Sequence, residues 1–376
     1  MSTTLITPTA ETSLPAFNGQ LNLKDACTWS LTQMKAFMLD LIDSPSTYGV
    51  DENAIGEMRR LRTDIFDLCE NGSKYLSEAS HPQSISRKVN PNHSKDTSYF
   101  LLDSMTYRGT LYWCCYDLLG RFLSVFSPAP EGATQNNFYL PLTIMYAQWC
   151  IKMAPYSPWT YACVWAEEEG QQSRFHLGGS FAGYRNPEGQ SNYWIEILRK
   201  ARFDVLRDER IDTANITMFD STYLTRGTNI VPFGNCAETY PLVHILRNHN
   251  PSEEVYGLAL KRKDLSQDTY NHQEALQALV GPCVNCERVI TAWGGKVENF
   301  TENIPEKSTA PSSKVQDPAA GGLKPASESN IALPVHAKRP IPADGADQPG
   351  VKRTRGPTPV IPLKPPAHLE KKNKEK

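Results

Sequence analysis

The sequence predicts a mainly α-helical N-terminal domain, then an α/β domain with a mixed sheet flanked by helices, then a disordered C-terminal tail. Three observations predict this. Up to about Tyr184 the apolar residues recur mostly at helical spacing. From about Ser191, short β-branched runs alternate with amphipathic helical stretches. After Phe300 the chain is rich in Pro, Ser, Ala and Lys and has no aromatic residue, so it cannot bury enough apolar surface to offset its ordering entropy. The expected divisions are a loose terminus over 1–20, a helical domain over 21–190, an α/β domain over 191–300 and a disordered tail over 301–376.

In the first half, Leu31, Met34, Phe37, Met38 and Leu41 share one helix face, and Met58, Leu61, Ile65 and Leu68 share another. Gly72 is placed to end the second helix. Residues 79–97 are polar and read as a loop. Apolar blocks follow over 99–126 and 138–165. Trp29, Trp113, Trp149, Trp159 and Trp165 are expected to pack the helical domain. Glu167-Glu168-Glu169 reads as a solvated turn, His176 as a structural or surface histidine, and Cys114-Cys115 as buried thiols.

In the second half, Trp194, Ile197, Leu198, Ala201 and Val205 mark a helix face. Arg199, Lys200, Arg202 and Arg207 lie among them, but Glu196, Asp204 and Asp208 dilute the charge, so a solvated amphipathic helix is expected. Strands are expected over 216–219, 228–233, 255–260 and 296–300. One helix carries Val243, Ile245 and Leu246, with Pro241 forcing a kink or an irregular first turn. Another carries Val289 and Ile290. An insertion over 264–280 is partly helical, with Glu274, Ala275, Leu276, Ala278 and Leu279 as its helical signal.

At 376 residues, with 39 Lys and Arg against 41 Asp and Glu, the chain has a net charge of -2. That argues against general electrostatic binding of nucleic acid. Nine cysteines without a regular framework read as reduced intracellular thiols. The N-terminus lacks a secretory pattern. The most apolar stretch, Leu111 to Phe126, contains Asp117 and Arg121, so no membrane span is expected.

The chemistry concentrates in Asn235-Cys236-Ala237-Glu238 and Gly281-Pro282-Cys283-Val284-Asn285-Cys286. A metal ion that activates water needs three protein ligands and an open fourth position. Cys283 and Cys286, spaced C-x-x-C at a helix start, supply two thiolates, and Cys236 supplies a third. Glu238, two residues on, can face the open position without binding the metal. A structural site would add a fourth ligand, yet His244 and His249 lie eight and thirteen residues after Cys236. A dithiol redox motif would leave Cys-Ala-Glu unexplained.

On Cys236-Ala237-Glu238 and Pro282-Cys283-x-x-Cys286 the chain resembles the cytidine deaminase-like superfamily of zinc-dependent nucleoside and nucleic acid deaminases. The resemblance implies a three-layer deaminase-like fold and one Zn2+ on Cys236, Cys283 and Cys286. It implies hydrolytic deamination of a nucleobase, most simply cytosine in a nucleoside or nucleotide. Zinc would activate the attacking water and Glu238 would shuttle protons. Backbone groups at Ala237 and Pro282 would line the ring pocket. Asn229, in Thr228-Asn229-Ile230, resembles the ribose contact of the free-nucleoside branch, although position 231 is Val where that branch has Glu. Arg288 is a candidate to offset the thiolate charge. The alternatives are a catalytically inactive fold serving as a nucleic-acid- or protein-binding module, and a polynucleotide deaminase. Expected partners are a nucleoside, nucleotide or single-stranded nucleic acid, with a second copy of the chain as a further possibility.

In the tail, Lys338-Arg339 and Lys352-Arg353-Thr354-Arg355 stand twelve residues apart, the pattern of a bipartite nuclear localisation signal read by an import receptor. The expected location is nuclear or cytoplasmic. Deleting 301–376 is expected to change folding stability by less than about 0.5 kcal/mol, since nothing there builds a core. The same deletion shifts a fluorescent fusion out of the nucleus. A large loss of melting temperature, or an unchanged distribution, contradicts the two halves of this reading separately.

Overall fold

The structure is a computed structural model. It describes residues 12–71, 85, 87–89, 100–102, 104–153, 156–183, 193–219 and 231–300. Asn229, the basic clusters at 338–339 and 352–355 and the tail as a whole lie outside the described residues.

Helix α1, Leu31–Asp43, starts at a capping box of Ser30 and Gln33. It buries Met34, Phe37, Met38, Leu41 and Ile42, the face that the spacing predicts. Helix α2, Ile55–Asn71, buries Met58, Leu61 and Ile65. Helix α3, Cys115–Val125, is buried on nearly every face although it carries Asp117 and Arg121, which therefore need internal partners, whereas α4, Leu140–Met153, is apolar nearly all round and correspondingly buried.

The central sheet has strands β1, Thr160–Glu167, β2, Arg174–Gly179, β3, Glu254–Lys261, and β4, Leu279–Val280. Their order is β2-β1-β3-β4. Every pairing is antiparallel, with Val164 opposite His176 on one side and Gly257 on the other. The expectation of a mixed sheet is corrected on this point for the described residues.

The chain is mixed α/β, with a core packed on each face of the sheet. Tyr161, Cys163 and Trp165 of β1 and Tyr256, Leu258 and Leu260 of β3 join the core formed with α1 to α4. Val164, Ala166 and Val255 face the opposite core, which holds Phe203, Leu246 and Ile290. Helix α5, Tyr193–Leu206, belongs to that second layer. So do α6, a turn of α-helix over Thr239–Pro241 widened to a π-helical turn over Leu242–Leu246, and α8, Val284–Ala292. Helix α7, His272–Ala278, is the helical part of the insertion.

The expected boundary at 190/191 runs through this sheet, because β1 and β2 come from the segment read as mainly helical. One core joins Phe17 and Met34 to Leu260 and Leu279, so the N-terminal helices form a layer of the α/β unit. Three of the expected strands, 216–219, 228–233 and 296–300, do not form among the described residues. Residues 216–219 and 231–233 form turns and extended chain, and Val297–Phe300 is a 3-10 turn. Phe300 instead lays its ring where a Cβ on Gly257 would stand, 2.4 Å from the nearest ring atom. Trp159 is also corrected: it is 71% exposed, while Trp149 and Trp165 are buried.

Small side chains position α6 on the sheet. Ala162, Ala237 and Ala259 pack together, and a Cβ on Gly178 would stand 2.5 Å from the Ala237 carbonyl oxygen and 2.5 Å from the Pro241 ring. Gly178→Val is therefore expected to lift the start of α6 and to cost at least about 1–3 kcal/mol as overpacking. Denaturant unfolding checks this, and wild-type stability in the variant contradicts the close approach.

Candidate metal centre

The segment Asn235 to Glu238 bends across the end of the sheet before α6 begins. Helical turns start at Thr239, and Leu242 N–H donates to the Glu238 carbonyl at 2.8 Å. Pro241 thereby falls in the first turn, where no backbone N–H is required. The irregularity appears beyond it, where Arg247 N–H reaches back five residues to Leu242. Cys283 is the N-cap residue of α8, so Cys286 sits one turn inside that helix.

These elements bring the three predicted sulfurs together. The Sγ atoms of Cys236, Cys283 and Cys286 all lie within 4.8 Å of one another. Cys236 and Cys283 are 3.4 Å apart, and Cys283 and Cys286 are 3.6 Å apart. The cluster can hold a metal ion, and it has no fourth member among the described residues. All three cysteines are free and partly or fully buried.

The electrostatics show what the thiols lack without a cation. Hydrogen bonds from Cys236 and Cys286, with help from the backbone N–H groups of Asn285 and Cys286, hold the Cys283 thiol well below its ordinary range. The same contacts push Cys236 and Cys286 well above theirs. The three thiols thus compete for protons within one buried site, and a bound cation would favour the thiolate form of all of them.

Glu238 is buried at 7% exposure. Burial first, and the Cys283 charge second, push its carboxyl up to about 7, and it lies within hydrogen-bonding reach of Cys286. Ala237 turns its side chain into the alanine layer beneath the sheet. Pro282 is half-buried just before Cys283. Arg288 donates to the Ala214 carbonyl at 3.2 Å and lies over the Phe233 ring at 5.5 Å. Asn285 anchors the neighbouring chain through Val231, its side-chain amide donating at 2.8 Å.

Sequence reasoning missed Arg202. It is 3% exposed, not on a solvated face. Its Nε donates to the Gly234 carbonyl at 2.7 Å, and one Nη donates to Gly179 at 3.1 Å and to Cys236 at 3.3 Å. The other Nη pairs with Asp117 of α3, itself buried. One guanidinium therefore ties α3, the end of β2 and the loop that delivers Cys236. The signal in the sequence was Asp117, an acid inside an apolar helix that requires a cationic partner.

The pair serves geometry rather than stability. Burial pushes the Asp117 carboxyl up to about 6 against the pull of Arg202. A raised carboxyl means that the native state holds the proton more tightly than the unfolded chain does. This contribution to stability therefore falls as pH rises from about 4 to about 6.

No family model, curated protein or solved structure matches the chain.

Arg202→Met leaves Asp117 buried without its partner and is expected to cost about 3–5 kcal/mol and to reduce retained metal. Adding Asp117→Leu should restore much of the stability without restoring the metal, because the Cys236 carbonyl stays unanchored. Full metal in the stabilised double variant would show that the clamp does not position the site.

Proposed function

We propose that the chain is a zinc-dependent hydrolase of the cytidine deaminase-like kind, acting on a nucleobase, cytosine in a nucleoside or nucleotide. One observation carries the reading: a buried carboxyl, Glu238, stands against three sulfurs spaced to share one ion. Thiolates on a tetrahedral zinc at about 2.3 Å stand about 3.8 Å apart. The observed 3.4 and 3.6 Å fall near that edge and far outside disulfide range. Soft sulfur donors favour zinc over oxygen-seeking magnesium or calcium.

The element order supports the reading. The β1–β2 hairpin precedes Cys236 and α6, then β3, then Cys283 and α8, with helices on both faces of the sheet. The resemblance implies a strand pair, a helix opened by Cys-Ala-Glu, a strand and a helix opened by P-C-x-x-C. Here the strand pair lies further upstream than the sequence suggested.

Cys236, Cys283 and Cys286 would hold the ion, which when bound supplies a Lewis acid that lowers the pKa of water. The remaining work falls to the chain. Water adds its oxygen to the amino-bearing ring carbon, and ammonia leaves. Glu238 takes a proton from the attacking water, passes it to the ring nitrogen and assists protonation of the leaving amine. Its burial keeps bulk water from competing for that proton.

Purified under reducing conditions, the protein is expected to carry about one zinc per chain, which Cys283→Ser abolishes. Glu238→Ala keeps the zinc and loses about 10² to 10⁴ in turnover. Metal analysis with a deamination screen over free bases, nucleosides, nucleotides and single-stranded DNA and RNA checks both. Zinc loss in Glu238→Ala would make that residue a ligand. A zinc-loaded chain that turns over nothing would favour the binding-module alternative, and salt-sensitive turnover confined to single strands would favour a polynucleotide substrate.

A further inference from the structure

A recess of about 680 Å³ opens at the other end of α6 from Cys236. Arg108, Arg121, Arg174 and Arg247 line it together with His176 and His244, and no Asp or Glu does among the described residues. Arg121 and His176 form a buried floor, each 1% exposed. Arg108 and Arg174 form the rim, with side chains 63% and 43% exposed.

The charges do not balance. Arg108 and Arg121 share Glu57, and Arg174 pairs with Glu253 at 2.7 Å. Arg247 donates to the Val205 carbonyl and lies over the Trp293 ring at 5.0 Å. Asp208 also acts on Arg247, but it pairs with Arg210 at 2.8 Å. Four guanidinium groups thus meet two paired carboxylates. The polar atoms are unmatched as well: Arg121 Nε, Arg247 Nε and His176 Nε2 are buried without a hydrogen-bond partner among the described residues. The two histidines stack at 4.2 Å. His176 Nδ1 meets the Leu177 carbonyl at 2.9 Å, and His244 Nε2 meets the Tyr112 hydroxyl at 2.6 Å. Burial first, and then the charges of Arg121, Arg247 and Arg108, push His244 down to about 3.

We propose that this recess binds a small molecule carrying two or more phosphate groups. Guanidinium forks match phosphate oxygens, and the unpartnered Nε–H donors of Arg121 and Arg247 gain acceptors on binding. The volume, and the apolar walls supplied by Phe126, Phe175 and Val243, exceed what orthophosphate requires. A recessed floor behind rim arginines suits a compact polyanion; a nucleic-acid strand needs a groove with stacking platforms. The proposal is independent of the thiol cluster, which lies at the opposite end of α6.

Calorimetric titration of the full chain at low ionic strength tests it, with tripolyphosphate, ATP and orthophosphate as probes and zinc content measured before and after. One site per chain is expected, with tripolyphosphate or ATP at least about tenfold tighter than orthophosphate. Asn248→Glu adds a carboxylate at an exposed lining position, and Arg108→Ala removes a rim cation. Each should weaken binding at least about tenfold with the melting temperature unchanged. ATP binding more tightly than tripolyphosphate assigns a nucleotide, and equal affinities assign a polyphosphate. No saturation by either probe at millimolar concentration, orthophosphate binding as tightly as both, or undiminished binding in both variants overturns the proposal. Tripolyphosphate has no base to deaminate, so failure here leaves the deaminase reading standing.

Discussion

The site depends on one buried guanidinium. Arg202 accepts the cost of full desolvation because it meets Asp117 and three carbonyls at once, those of Gly179, Gly234 and Cys236. Gly179 ends β2, and Gly234 and Cys236 belong to one loop, so holding all three carbonyls fixes where the Cys236 loop leaves the sheet. Burying such a pair seldom adds net stability, and the raised Asp117 carboxyl shows the cost here. What it provides is a unique arrangement. Tyr240 extends the same junction: it lies under Arg202 at 5.1 Å, stacks on Tyr112 at 4.6 Å and donates to the Leu111 carbonyl at 2.9 Å. The N-terminal helices, through α3, and the short strand carrying Leu111 and Tyr112 are thus built into the support of the cysteine cluster.

Small residues complete that support. An alanine layer and Gly178 let the chain carrying Ala237 lie directly on the sheet, which places Cys236 against Cys283 at the start of α8. Glu238 follows two residues later with its carboxyl buried, where charge is least screened. A cation bound among the three thiols would favour their thiolate forms, since one of them is already held well below its ordinary range by the other two.

Much of the site was legible in the sequence, and the reason is local. Cys283 and Cys286 are fixed by one helix start, and Cys236 and Glu238 by one bend, so spacing groups each pair, while joining the two pairs across 47 residues rested on the resemblance. α5 was legible because it carries its own helical period, and β3 because the turn-forming Asn250-Pro251 and the charged Lys261 bound its short apolar run. β1 was not. Thr160 to Glu167 is buried on both faces, so no apolar–polar alternation marks it, and its apolar run merges with that of α4. That single miss moved the domain boundary and sent the strand pair to 216–233. The roles of Arg202 and His176 were illegible because their partners are remote: Asp117 lies 85 residues from Arg202, and His244 stacks on His176 across the sheet edge. A charged residue on an amphipathic helix reads as solvated unless its distant counter-charge is known.

The central claim is a three-thiolate centre with one position left for water. Zinc-edge X-ray absorption on the metal-loaded full chain measures it most directly. The account predicts three sulfur scatterers at about 2.3 Å and one oxygen or nitrogen at about 2.0 Å. A shell of four sulfurs, or of two sulfurs with two nitrogens, would contradict it, because either would close the position that the chemistry requires.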